Sequence, residues 1–218
     1  MFYKIYDKKF WKEVCKHNKN IFLILNTLLT TVEKFVLKSF EIKNSFLESN
    51  CIIKENRIFY ICSEEKIFTI TFPFEIIESE SDILDILFDG EIVDINILKA
   101  LQRIITIIEN TQSYEDFLIE YDSIDESEGF SITELQLASK ILKKLFEIEI
   151  GYIRFDRDLL ASEKHREEYH PEYHLDIFFD RNVSCKIGIK KESFNFKRDI
   201  EKTFTKLFGT NETKYFLI

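Results

Sequence analysis

Two prolines, Pro73 and Pro171, and five glycines are all that interrupt the 218 residues, so most turns fall to Asn, Asp, Ser and Glu. The four cysteines (Cys15, Cys51, Cys62, Cys185) form no CxxC pair and keep no regular spacing, which argues against a zinc site of standard type. The longest apolar run, residues 21–25 and then 28–29, is broken by Asn26 and Thr27. It falls far short of the ~20 residues a membrane-spanning helix needs. No Walker loop, GxGxxG turn or nucleophile elbow is present, which removes the nucleotide, dinucleotide and hydrolase classes that such motifs announce. Basic excess is missing too. A net charge of -9 speaks against broad electrostatic capture of nucleic acid, though a local basic groove on an acidic body stays compatible with it. The first residues, MFYKIYDKKFWKEV, carry charges throughout and read as no signal peptide, so a cytoplasmic location is the expectation.

What the chain does have is apolar and aromatic side chains, 22 Phe and 9 Tyr among them, enough for a real core and for one domain over residues 1–218. Residues 8–40 carry helical spacing (Phe10, Trp11, Val14, then Phe22, Leu25, Leu28, Leu29, Val32, Phe35), in one helix or two joined near 17–20. Residues 58–62 and 66–72 are rich in β-formers and read as a hairpin, with 51–54 as a third strand and Pro73 as its end. Helix is expected again from Ser81 through Leu87, stopped by Asp89–Gly90, then from 92 to 108 and from 113 to 121. The acidic run 120–129 offers few apolar anchors and is the natural place for a soft boundary. Ser131 and Glu134 make a capping box for a helix to about Phe146, with Leu135, Ala138, Ile141, Leu142 and Leu145 inward. Three strands follow, then an amphipathic helix over 193–208. This order, segregated rather than alternating, implies an α+β fold: antiparallel sheet packed with helices, with a C-terminal three-stranded antiparallel unit and a closing helix.

Site-type chemistry concentrates in residues 151–190, which hold His165, His170, His174 and Pro171 among Arg, Asp and Lys. Alternation in 173–179 puts Tyr173, Leu175, Ile177 and Phe179 opposite His174 and Asp176, and in 183–189 it puts Val183, Cys185, Ile187 and Ile189 opposite Lys186 and Gly188. A three-residue loop at 180–182 pairs 177 with 185 and 175 with 187, all apolar, whereas a two-residue loop mixes polar and apolar faces. The three-residue register sets Asp176 across from Lys186 and His174 across from Gly188. Strand 152–158 alongside adds Arg154 and Asp156. The expected site is therefore a sheet face carrying Arg154, Asp156, His174, Asp176 and Lys186; the plain alternative is a solvated face of ion pairs.

Joint metal binding by His170 and His174 meets a geometric limit, because four extended residues separate them by roughly 13 Å, and only a turn at Pro171 brings them together. One histidine with a carboxylate across strands is easier, which makes Asp156 and His174 the metal candidates; no cofactor is required by these residues, and a divalent metal is compatible with them. His174, His170, Asp156, Asp176 and Lys186 are the catalytic candidates; Arg154, His174 and Lys186 are the ligand-binding ones. A nuclease hairpin with an acid on one strand and acid-x-Lys on the next is matched only in part, since Ser184 stands where the second carboxylate belongs.

The run RFDRD (154–158), then HPEYHLDI (170–177), then CKIGI (185–189) before a Phe-rich segment resembles the bacterial domain-of-unknown-function family numbered 2290, over roughly residues 151–208. That family carries no activity to transfer; the resemblance implies an accessory protein of a bacterial mobile or anti-phage defence locus. Three functions follow as expectations. The first is a binding module that recognises a phosphate-bearing ligand or a protein partner through the polar face. The second is a metal-dependent phosphodiesterase or nuclease. The third is a structural interaction protein with that face solvated. Whether the protein is an enzyme is left open by these residues.

Overall fold

The computed structural model describes residues 1–16, 20–45, 48–54, 56–63, 65–78, 84–124, 129–148, 151–158, 172–178 and 184–189. Contacts divide the chain into two compact units, one made of 1–5, 41–72 and 150–218 and the other of 6–40 and 73–149.

The first unit is built on an eight-stranded antiparallel sheet. Its strands are β1 (Phe2–Lys4), β2 (Glu41–Lys43), β3 (Cys51–Lys54), β4 (Arg57–Ser63), β5 (Lys66–Thr71), β9 (Ile153–Arg157), β10 (Tyr173–Phe178) and β11 (Ser184–Ile189), in the order β11-β10-β9-β5-β4-β3-β1-β2. The expected β3–β4–β5 meander is present, and so is the C-terminal three-stranded antiparallel unit β9–β10–β11, which joins the meander through the pairing of β9 with β5. The closing helix expected at 193–208 lies outside the described residues. On one face of the sheet Ile52, Phe59, Ile67, Phe155, Tyr173 and Leu175 are buried as a single cluster. Register on the other face follows from that burial, because slipping any strand by one residue would swap its two faces. Gly151, just before β9, has φ +53 and lets the Arg57 guanidinium donate to its carbonyl; a Cβ there would stand 3.1 Å from Arg57 Nη1.

The second unit holds five helices among the described residues: α1 (Lys8–Val14), α2 (Ile21–Val36), α3 (Ile95–Asn110), α4 (Tyr114–Asp122) and α5 (Ile132–Glu147). It also holds a three-stranded sheet of β6 (Glu75–Glu78), β7 (Leu84–Phe88) and β8 (Glu91–Ile92). Asp7, Asn20, Asp94, Ser113 and Ser131 cap the five helices in turn, and the Ser131/Glu134 capping box forms in full. The inward set of α5 is the expected one. The helix expected from Ser81 to Leu87 is a correction: 84–88 is strand. Asp89 and Gly90 both take positive φ (53 and 80), and Phe88 pairs with Glu91. That is a two-residue primed hairpin turn, so Asp-Gly here turns a strand rather than ending a helix. The fold is α+β, as the order of elements implied. No helix among the described residues is long and apolar enough to cross a membrane.

Candidate ligand and metal site

The register derived from the apolar alternation of 173–189 is the one observed. Leu175 pairs with Ile187, Ile177 with Cys185, Asp176 with Lys186 and His174 with Gly188. On the other side of β10, β9 sets Asp156 across from His174 and Arg154 across from Asp176. Arg154, Asp156, His174, Asp176 and Lys186 thus share one face across three strands, as expected. His165, His170 and Pro171 lie outside the described residues.

The face is not a solvated surface of ion pairs. His174 and Asp176 are each 2% exposed, and the side chains of Arg154 and Asp156 are 14% and 16% exposed. The fully solvated alternative is therefore corrected by burial. At its centre the Arg154 guanidinium donates from Nε to Asp156 Oδ2 and from Nη2 to Asp176 Oδ2, both at 2.5 Å. One planar fork on β9 so ties together two carboxylates from neighbouring strands, which a lysine's point charge could not do in the same geometry. Aromatic rings flank it. Tyr60, Phe68, Tyr152 and Phe178 run in contact, with centroids 4.7, 5.5 and 5.0 Å apart in sequence. The Arg154 guanidinium carbon lies 5.7 Å from the Phe178 ring centre, a cation–π contact.

His174 Nε2 stands 3.8 Å from Asp156 Oδ2 and 3.9 Å from Asp176 Oδ1, beyond hydrogen-bond reach of either. Asp176 Oδ1 is buried and accepts no hydrogen bond from any described residue; Lys186 Nζ lies 3.4 Å from it. A buried carboxylate oxygen without a donor costs ~1–3 kcal/mol or more, so it is a position that a ligand can improve. Asp156, His174 and Asp176 offer three ligating atoms within 4.8 Å of one another.

Two members of this face were not singled out from the sequence. Lys66, on β5, pairs with Asp156 across β9. Burial holds its ammonium below the usual lysine range, with Asp156 pulling it up and Arg154 pushing it further down. The alternation of Lys66, Phe68 and Ile70 was visible in the sequence; the long-range pairing of β5 with β9 was not. Tyr152 is buried beside Arg154, and that burial pushes its phenol up to about 12.

Lys186 is half-exposed, in contrast to the carboxylates beneath it, so the site has a buried acidic floor and a basic rim. On the opposite face Arg157 bonds Glu172 at 3.1 Å and lies over Tyr173, apart from this cluster. Among the described residues the free thiols stand apart from the site: Cys51 is buried, with its thiol pushed up by that burial, and Cys185 is exposed on the face opposite Lys186. No protein family, curated protein or solved structure matches this chain.

Proposed function

We propose that the polar face of β9, β10 and β11 recognises a phosphate-bearing ligand, and that the protein acts as a binding or accessory module. The local charge balance carries this reading. Arg154, Lys66 and Lys186 set three cationic groups against the carboxylates of Asp156 and Asp176. With the imidazole of His174 counted as neutral, one positive charge is left in excess on a chain whose net charge is -9. A local excess of positive charge on an acidic chain attracts anions to one place rather than along a broad footprint. Arg154 is held by its two carboxylates and orients the floor; Lys186 and Lys66 are the groups that meet the ligand, with His174 between them. A carboxylate of a protein partner presents related chemistry, but a phosphate uses more of the donors.

Inorganic triphosphate titrated calorimetrically into metal-free protein tests the reading. Saturable binding that weakens about tenfold in Lys186→Ala, equivalent to ~1.4 kcal/mol, and that falls with added salt supports it. No saturable binding, or binding untouched by Lys186→Ala and Lys66→Ala alike, refutes it.

A second reading has one specific observation in its favour, the undonated Asp176 Oδ1. In a metal-dependent phosphodiesterase, Asp156 and Asp176 hold the ion, His174 serves as general acid or base, and Lys186 meets the phosphate. The carboxylate absent at Ser184 is supplied from β9 by Asp156 instead. Hydrolysis of bis-p-nitrophenyl phosphate in Mn²⁺, lost in His174→Gln, supports it; no hydrolysis of that ester or of DNA and RNA in Mg²⁺ and Mn²⁺ contradicts it. The resemblance over 151–208 supports a place among bacterial defence accessories, which the genes flanking this one test directly.

A further inference from the structure

Asp176 is the most constrained carboxylate of the face. One oxygen is held by Arg154 at 2.5 Å, and the other is buried and accepts no hydrogen bond from any described residue. Folding that oxygen out of water without a donor is unfavourable unless something else completes it. Lys186 Nζ at 3.4 Å offers a charge but, at that distance and half-exposed, no well-made bond. His174 Nε2 lies 3.9 Å from the same oxygen, with Asp156 Oδ2 3.8 Å from that nitrogen.

These separations have a geometric meaning. A metal ion bound at about 2.0–2.2 Å by two atoms holds them no more than about 4.4 Å apart. Both imidazole-to-carboxylate distances fall inside that limit, and the three groups already lie within 4.8 Å of one another. Asp156 faces His174 across β9 and β10 in fixed register, and Asp176 follows His174 by two residues on the same face of β10, so the three side chains are already directed to one place. A nitrogen and two carboxylates form a mixed donor set, which favours Mn²⁺ or Zn²⁺ over the all-oxygen shell that Mg²⁺ and Ca²⁺ prefer.

We infer that Asp156, His174 and Asp176 form a site for a divalent ion of the Mn²⁺ or Zn²⁺ type, on which the phosphate of the bound ligand is anchored. The inference rests on the proposed phosphate-binding reading for its second half only. Three cationic groups around the site oppose a bare dication, and an anion relieves that opposition, so ion and phosphate bind with positive coupling. Lys186 then leaves Asp176 Oδ1 to the ion and turns its ammonium to the phosphate. Arg154 holds the outer oxygen of Asp176 and, on Asp156, donates to the same Oδ2 that faces His174, so it orients both carboxylates from behind as hydrogen-bonded partners of metal ligands generally do.

Pulsed electron paramagnetic resonance on the wild-type chain with Mn²⁺ and phenyl phosphate tests the inference without relying on a variant that could misfold. The expected result is one bound Mn²⁺ per chain with ¹⁴N coupling from an imidazole and ³¹P coupling from the ester. His174→Gln is expected to abolish the ¹⁴N signal and weaken Mn²⁺ at least tenfold while circular dichroism stays unchanged. No stoichiometric Mn²⁺ or Zn²⁺ binding, or bound Mn²⁺ without ¹⁴N coupling, overturns the metal site. Mn²⁺ with ¹⁴N but no ³¹P coupling, in a protein that also fails to bind triphosphate without metal, overturns the phosphate reading and leaves the metal site standing.

Discussion

Replacing Arg154 with methionine removes the guanidinium and keeps most of the stem length. Two carboxylates, one 2% and one 16% exposed, then face each other with the central cation gone, while Phe178 loses its cation–π partner. Deleting one member of a buried, hydrogen-bonded ion cluster costs about 3–5 kcal/mol, because the abandoned charges stay desolvated. Against a typical domain stability of ~5–15 kcal/mol that is a large share. Urea unfolding followed by circular dichroism measures it as a fall in midpoint at constant slope. Arg157→Met is the control. It is also an arginine on β9, but its Glu172 pair lies on the opposite face and the arginine side chain is 32% exposed, so its loss is expected at about 1 kcal/mol or less. The double variant Arg154→Met/Asp176→Asn is expected to cost less than the sum of the singles by more than about 1 kcal/mol, since each removes the other's reason for charge. A destabilisation by Arg154→Met no larger than that of Arg157→Met refutes the reasoning that this network is a buried, mutually dependent unit.

Gly151→Ala places a side chain at φ +53 with its Cβ 3.1 Å from Arg57 Nη1; it is expected to cost ~1–2 kcal/mol by thermal melting from backbone strain alone, and Arg57 must also give way. Ser131→Ala removes the capping-box acceptor at the start of α5 and is expected to cost ~1 kcal/mol, measured as a shift in chemical denaturation. Lys66 binds its proton more weakly folded than unfolded, burial being the main cause. Stability is therefore expected to rise with pH between the lowered value and the ordinary 10.5, and Lys66→Met to flatten that rise in alkaline urea titrations. Triphosphate affinity is expected to fall across the same window as the ammonium is lost.

Much of the site was legible because strand alternation is a strict code. With apolar residues at 175, 177, 185 and 187, one loop length alone pairs them, and the polar face follows without further information. Burial was not legible. Alternation says that His174 and Asp176 share a face, not whether that face meets water, and their 2% exposure is a property of the assembled chain. Lys66 was missed for a related reason: its partner Asp156 is ninety residues away in sequence, and nothing local to either strand announces the other. The misreading of 84–88 has a different source. Leu84, Leu87 and Phe88 fit helical spacing as well as Ile86 and Phe88 fit alternation, and the short run was decided by the positive φ that Asp89–Gly90 supplies.

The central claim is that the face around His174, rather than some other surface, receives the phosphate. It is tested most directly by imidazole resonances. The chain has four histidines, and His174→Gln assigns the one that matters in a ¹⁵N correlation spectrum. In metal-free buffer with inorganic triphosphate, the ring signals of His174 are expected to shift saturably, with the dissociation constant found by calorimetry and a weaker one in Lys186→Ala. Signals of His174 that stay fixed while triphosphate binds, or while other histidines shift, contradict the account.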